Sequence, residues 1–239
     1  MAKKLREIRS FGESRSILLV SGDFVFLRLW SKSIWLYVML LLGGGVLFAL
    51  ATHRENWSTA QKIVAFTYVL VPLHAWEEWR IPGGFGYEYN WVMGKSDLPD
   101  RYPMNQLTDM ITVFGAMWFG IILLYVGVTP GVLLSQTFFA FAETAMHLYF
   151  GYEMYRKFKP QGKRTIYNPG FATVLIGFFP LFLAGVFSLL HSHLSGRDWW
   201  TALGILLVLS GIIFLPPKFL GTRENPYSFA PGYYARFLR

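Results

Sequence analysis

Six apolar windows, each about as long as a bilayer is thick, constrain this chain more than any other feature. They cover residues 33–52, 60–79, 108–128, 131–151, 171–191 and 199–216. At 1.5 Å per residue, about 20 apolar residues of helix cross a hydrocarbon core of about 30 Å. Composition agrees, because 54% hydrophobic, 18% aromatic and only 15% charged residues are too apolar for a soluble domain of 239 residues. The expected fold is therefore all-α, a polytopic membrane helix bundle with about six transmembrane helices. No internal repeat or low-complexity segment divides it.

The net charge of +8 is explained by where the cations fall. Seven lysines and arginines precede the first window, three lie between the second and third, five between the fourth and fifth, and four follow the sixth, so 19 of the 22 share one side of a six-helix arrangement. That side is expected to be cytoplasmic, with both termini there. Topology and anionic headgroups account for the basic charge, which leaves no reason to expect a nucleic-acid partner. Residues 1–32 read as a cytoplasmic or interfacial N-terminal segment, whose apolar stretch 15–30 is broken by Gly22, Asp23 and Arg28. Residues 33–216 form the membrane domain, with a lid-like cytoplasmic loop at 80–105, and 217–239 a cytoplasmic tail. The aromatic run GFGYEYNWVMG in that loop suits either a membrane-surface belt or a cover over a site. The chain has no cysteine, which excludes disulfides, thiolate metal sites and a cysteine nucleophile.

Against this apolar background, a few polar residues stand out. His74, Glu77 and Glu78 are spaced i, i+3 and i+4 at the end of the second window, shortly after Pro72, and so share a helix face. Asn105, Thr108, Asp109 and Thr112 form a second stripe, although Asn105 also suits a helix N-cap. Glu143 lies about 12 Å from the end of the fourth window by helical rise. An ionised carboxylate near the midplane costs at least about 2.5 kcal/mol, so it should face the protein interior with a partner, and His147 follows at i+4. The charge topology brings all of these, and the segment TIYNPGFAT at 165–173, to the cytoplasmic leaflet. His53, His191 and His193 fall on the opposite surface and read as exposed loop residues.

With these residues placed, the sequence resembles the HXXEE-domain family of integral membrane proteins. The motif reads His74-Ala-Trp-Glu77-Glu78, followed by Pro82-Gly83-Gly84-Phe85 and later by Tyr167-Asn168-Pro169-Gly170-Phe171-Ala172-Thr173. Where the family tends to carry Asn-Ala shortly before a later histidine, this chain reads Ala142-Glu143-Thr144-Ala145-Met146-His147. The resemblance implies a membrane enzyme and supplies no reaction.

The expected catalytic residues are His74, Glu77, Glu78, Glu143 and His147, and the expected substrate-binding residues Asn105, Asp109, Tyr167, Asn168 and Thr173. His74, Glu77, Glu78, Asp109, Glu143 and His147 are candidate ligands for a divalent metal, zinc or iron. A two-iron site usually needs Glu-x-x-His spacing, which neither pair has. Without a metal, the same residues form an acid and base pair. Either version fits a multi-pass membrane enzyme with its site on the cytoplasmic side, acting on a lipid-like or isoprenoid-like amphiphile by isomerisation, cyclisation, hydrolysis or oxidation. The expected partners are the bilayer and that small molecule. The alternative is a proton-coupled transporter using the buried Glu and His residues.

Overall fold

A computed structural model of the chain describes residues 25–223 and 227–230, and these form helices and turns with no strand among them. Helix α1 joins Val25–Leu29, a π-helical turn Trp30–Ile34 and Trp35–His53 without interruption. It starts ahead of the window at 33 because Leu27 and Trp30 also pack on the core. Then follow α2 (Thr59–Trp79), α3 (Phe85–Val92), α4 (Gln106–Val126) and α5 (Pro130–Phe158). Helix α6 runs from Phe171 to Leu190 through a π-helical turn at Val174–Phe178, and α7 is Gly196–Leu220.

Local chemistry sets the helix starts. Ser58, Asn105 and Ser195 cap α2, α4 and α7 through reciprocal bonds with the third residue of each helix, and Thr129 caps α5 ahead of Pro130. The loop expected at 80–105 holds a short helix, α3. Gly84 enters it at φ +114°, a left-handed conformation that glycine adopts without strain.

Four helices are long and apolar enough to cross a membrane: Phe26–His53, Gln106–Val126, Phe171–Leu190 and Gly196–Leu220. They expose large apolar side chains such as Leu41, Phe48, Tyr125, Ile176 and Leu190. Helices α2 and α5 have the length, with 21 and 29 residues, but carry the polar residues singled out above. They occupy the middle of the bundle, since α2 packs on α1, α4, α5 and α6, while α5 packs on α2, α3, α6 and α7. Close approach depends on missing side chains. A Cβ on Gly120 of α4 would overlap the phenol ring of Tyr68 on α2, and one on Gly43 of α1 would reach 2.8 Å from Pro72.

Residues 1–24 of the expected N-terminal segment, and 224–226 and 231–239 of the expected tail, lie outside the described residues. The described part of the tail folds back over the end of α2. Tyr227 accepts from the Gln106 backbone amide at 2.9 Å, the Phe229 amide donates to Asp100 at 2.8 Å, and the Phe229 ring packs edge-on against Trp79.

Candidate metal centre

Helical spacing produces two matched pairs, His74 with Glu78 on α2 and Glu143 with His147 on α5, each at i and i+4. Packing α2 on α5 turns the pairs toward each other. The Nε2 of His74 stands 3.4 Å from Glu78 Oε1 and 3.7 Å from Glu143 Oε2. The Nε2 of His147 stands 3.5 Å and 3.7 Å from the same two oxygens. The imidazole rings lie 4.8 Å apart at 81°, and ligand atoms of His74, His147 and Glu143 all fall within 4.8 Å of one another. Ligands at about 2.0–2.1 Å in a tetrahedron are separated by about 3.4 Å, close to the four nitrogen–oxygen spacings here.

The proton on His74 can be placed from its neighbour. Thr173 Oγ1 lies 2.8 Å from His74 Nδ1, 2.7 Å from Glu77 Oε2 and 3.0 Å from the Gly170 carbonyl. The hydroxyl has one hydrogen, and both oxygens are acceptors, so it accepts from a protonated Nδ1 of His74. The Nε2 lone pair then points at two carboxylate oxygens, an arrangement that needs a proton or a cation between them. His147 is wholly buried, and neither of its ring nitrogens has a hydrogen-bond partner. Buried polar atoms rarely stay unsatisfied, and a ligated cation would satisfy one of them.

The backbone at Gly170 closes one side of the pair. It has φ +88°, and a Cβ there would collide with His147 and reach 2.7 Å from His74 Cε1. Phe85 covers His147 from α3, with ring centroids 5.4 Å apart.

Glu77, one residue from Glu78, points elsewhere. Its Oε1 accepts from Tyr167 Oη at 3.0 Å and from the Ala172 amide at 2.9 Å, while Oε2 accepts from the Thr173 amide at 2.8 Å and its hydroxyl. A carboxylate on the free amides at the start of α6 is favoured by hydrogen bonding and by the helix dipole. Glu77, Tyr167 and Thr173 thus form a layer outside the pairs, touching them through the Thr173–His74 bond. Burial, with the Glu77 carboxylate beside it, pushes the Tyr167 phenol up from its ordinary value.

Asn168 supports the cluster from behind. Its amide nitrogen donates to the His147 carbonyl and to Glu88 Oε1, both at 3.0 Å. Glu88 and Lys163, neither anticipated from the sequence, are buried here, with Lys163 Nζ donating to the Tyr167 carbonyl at 2.6 Å. Burial pushes the Glu88 carboxyl up to about 8, with Asn168 and Lys163 pulling against it, and burial also lowers the Lys163 ammonium. Glu88 Oε2 and Asn168 Oδ1 are both without a hydrogen-bond partner. The available signal was a single carboxylate inside an aromatic run.

Asn105 caps α4, its side-chain oxygen accepting from the Leu107 and Thr108 amides. Asp109 is 1% exposed and lines the same cavity as His74, Glu78 and Glu143, with no partner on Oδ2. That cavity, of about 90 Å³, runs between α2, α4 and α5 from Tyr89 and Met104 to Tyr68, Ala116 and Phe139.

The cluster of four, Asp109 in the shared cavity and the layer built on Glu77 all fall within one stretch of sequence. No curated protein and no solved structure matches the chain. The family model for proteins of unknown function with the HXXEE motif matches residues 65–185, half of the chain and all of these residues, and the chain belongs to that family.

Proposed function

We propose that this protein is a membrane enzyme that holds one divalent cation, zinc or iron, between α2 and α5 and hydrolyses a lipid-like amphiphile from the cytoplasmic leaflet. The observation that carries the proposal is the convergence of two imidazole nitrogens on two carboxylate oxygens at 3.4–3.7 Å, with His74, Glu78 and Glu143 on the wall of one cavity. In this reading α2 and α5 span the membrane with the four apolar helices, and the excess of cations puts both termini inside.

His74, His147 and Glu78, which have the shorter spacings, hold the ion. A cation bound by two histidines and a glutamate supplies Lewis acidity and lowers the pKa of bound water. Glu143, at 3.7 Å from both imidazoles and with the more exposed side chain, is the carboxylate that would serve as general base beside the ion. Thr173, itself bonded to Glu77, fixes the His74 tautomer, and Phe85 and Gly170 exclude bulk solvent. The apolar walls receive the tail.

Elemental analysis of protein purified without chelators tests the proposal. One zinc or iron per chain is expected, lost in Glu78→Gln and His147→Ala. A wild type free of transition metal would overturn the metal-dependent reading.

A further inference from the structure

The cavity beside the metal site also carries information about what enters it. Its lining includes three carboxylates, Glu78, Asp109 and Glu143, and no lysine or arginine among the described residues. Two of those carboxylates have a role at the cation, whose two positive charges they balance. Asp109 does not. It sits at the start of α4, across the cavity and beside Glu78 and the Trp79 indole, and its Oδ2 has no hydrogen-bond partner although the residue is 1% exposed. Leaving such a group unpaired in a buried site costs about 1–3 kcal/mol, so the site is complete only when something donates to it.

The remaining walls narrow the choice. Aromatic rings from Phe85, Tyr89, Phe139 and Phe178 surround the acids, and ring faces attract cations. Buried Lys163 stands outside the lining and donates to the Tyr167 carbonyl. An anionic head would therefore meet a third acidic side chain with no protein cation to offset it. Along α4, Asp109 and Ala116 lie about 10 Å apart by helical rise, and the space between is narrow and apolar, which suits one unbranched chain.

We propose that the substrate is a lipophilic amine, with its nitrogen on Asp109 and a single alkyl chain extending toward Tyr68 and Ala116. This rests on the reading of the cluster as an enzyme site and adds the chemistry of the head group. Asp109 acts in binding.

The test uses the full chain in phosphatidylcholine nanodiscs, with dodecylamine, dodecanol and dodecanoate as matched probes and native mass spectrometry as the readout. Dodecylamine is expected to bind about 10- to 100-fold more tightly than the other two, the range of one charge-assisted hydrogen bond. Asp109→Asn should remove that preference while keeping the metal. Equal or tighter binding of dodecanoate or dodecanol by the wild type overturns the proposal without any variant. So does an unchanged preference in Asp109→Asn, or loss of the metal in that variant, which would make Asp109 a ligand. Metal content read on the same samples separates the two failures. A wild type that holds its ion but prefers dodecanoate loses the amine and keeps the metal enzyme.

Discussion

Glu77 and Glu78 are adjacent and both buried, yet they belong to different structures. Glu78 faces two imidazoles, whereas Glu77 binds the start of α6 through three hydrogen bonds and Tyr167 through a fourth. Replacing them should separate stability from metal binding. Glu77→Ala strips a buried acceptor from four donors and is expected to cost on the order of 3 kcal/mol, read as a lower thermal midpoint in detergent. Glu78→Gln should hold its midpoint in metal-free protein and lose the ion. Thr173→Val removes the hydroxyl that fixes His74, and metal affinity should fall about 10- to 100-fold, with Thr173→Ser restoring it. The sequence placed His74, Glu77 and Glu78 on one face, and they do lie within one arc. A spacing of i, i+3 and i+4 cannot show that the face is shared by two neighbours, with α5 receiving Glu78 and α6 receiving Glu77. That partition depends on the Pro169-Gly170 turn, which brings the Ala172 and Thr173 amides to Glu77.

At the level of elements, the apolar windows were legible because lipid-facing helices need continuous hydrophobicity, and α4, α6 and α7 fall close to their expected spans. Helix α3 was not. Its residues FGYEYNWV alternate aromatic and polar side chains, a pattern that reads as a surface belt, but two helical turns bury Phe85, Glu88 and the polar Asn90 together. Glu88 ties α3 to the loop before α6, and its raised pKa gives the tie a pH dependence. The folded protein keeps a proton that the unfolded chain releases above its ordinary value of 4.5, and gives it up only near 8. This contribution to stability is complete below about pH 4.5, declines as pH rises, and is gone above about 8. Glu88→Gln keeps the acceptor for Asn168 and needs no proton. It should flatten the fall in thermal midpoint between pH 5 and 8 that the wild type shows, to within about a degree or two. An unchanged slope in the variant would assign the fall to another group.

Over the whole molecule, the two helices that carry the imidazoles lie at the centre, and four apolar helices pack around them. This arrangement turns the polar faces of α2 and α5 inward, with Phe66, Leu73, Phe138 and Phe141 on their exposed faces, and explains why a chain that is 54% hydrophobic can carry His74, Glu78, Glu143 and His147 among its helices. The absence of cysteine makes the proposed topology simple to probe. With cysteine introduced at exposed Gln161 or exposed Ser192, a membrane-impermeant maleimide added to intact cells should label only Ser192→Cys, and permeabilisation should add Gln161→Cys. The reverse pattern would place the site at the opposite face. The central claim is that α2 and α5 together make one cation site, with the two imidazoles and Glu78 as ligands and Glu143 beside them. Loading metal-free protein with cobalt(II) reports that donor set directly through its visible absorption. One equivalent should saturate an intense band of a four- or five-coordinate site, lost in His147→Ala and in Glu78→Gln but kept in His193→Ala. A weak spectrum of hexa-aqua cobalt in the wild type, or a band unchanged in the His147 variant, would contradict it.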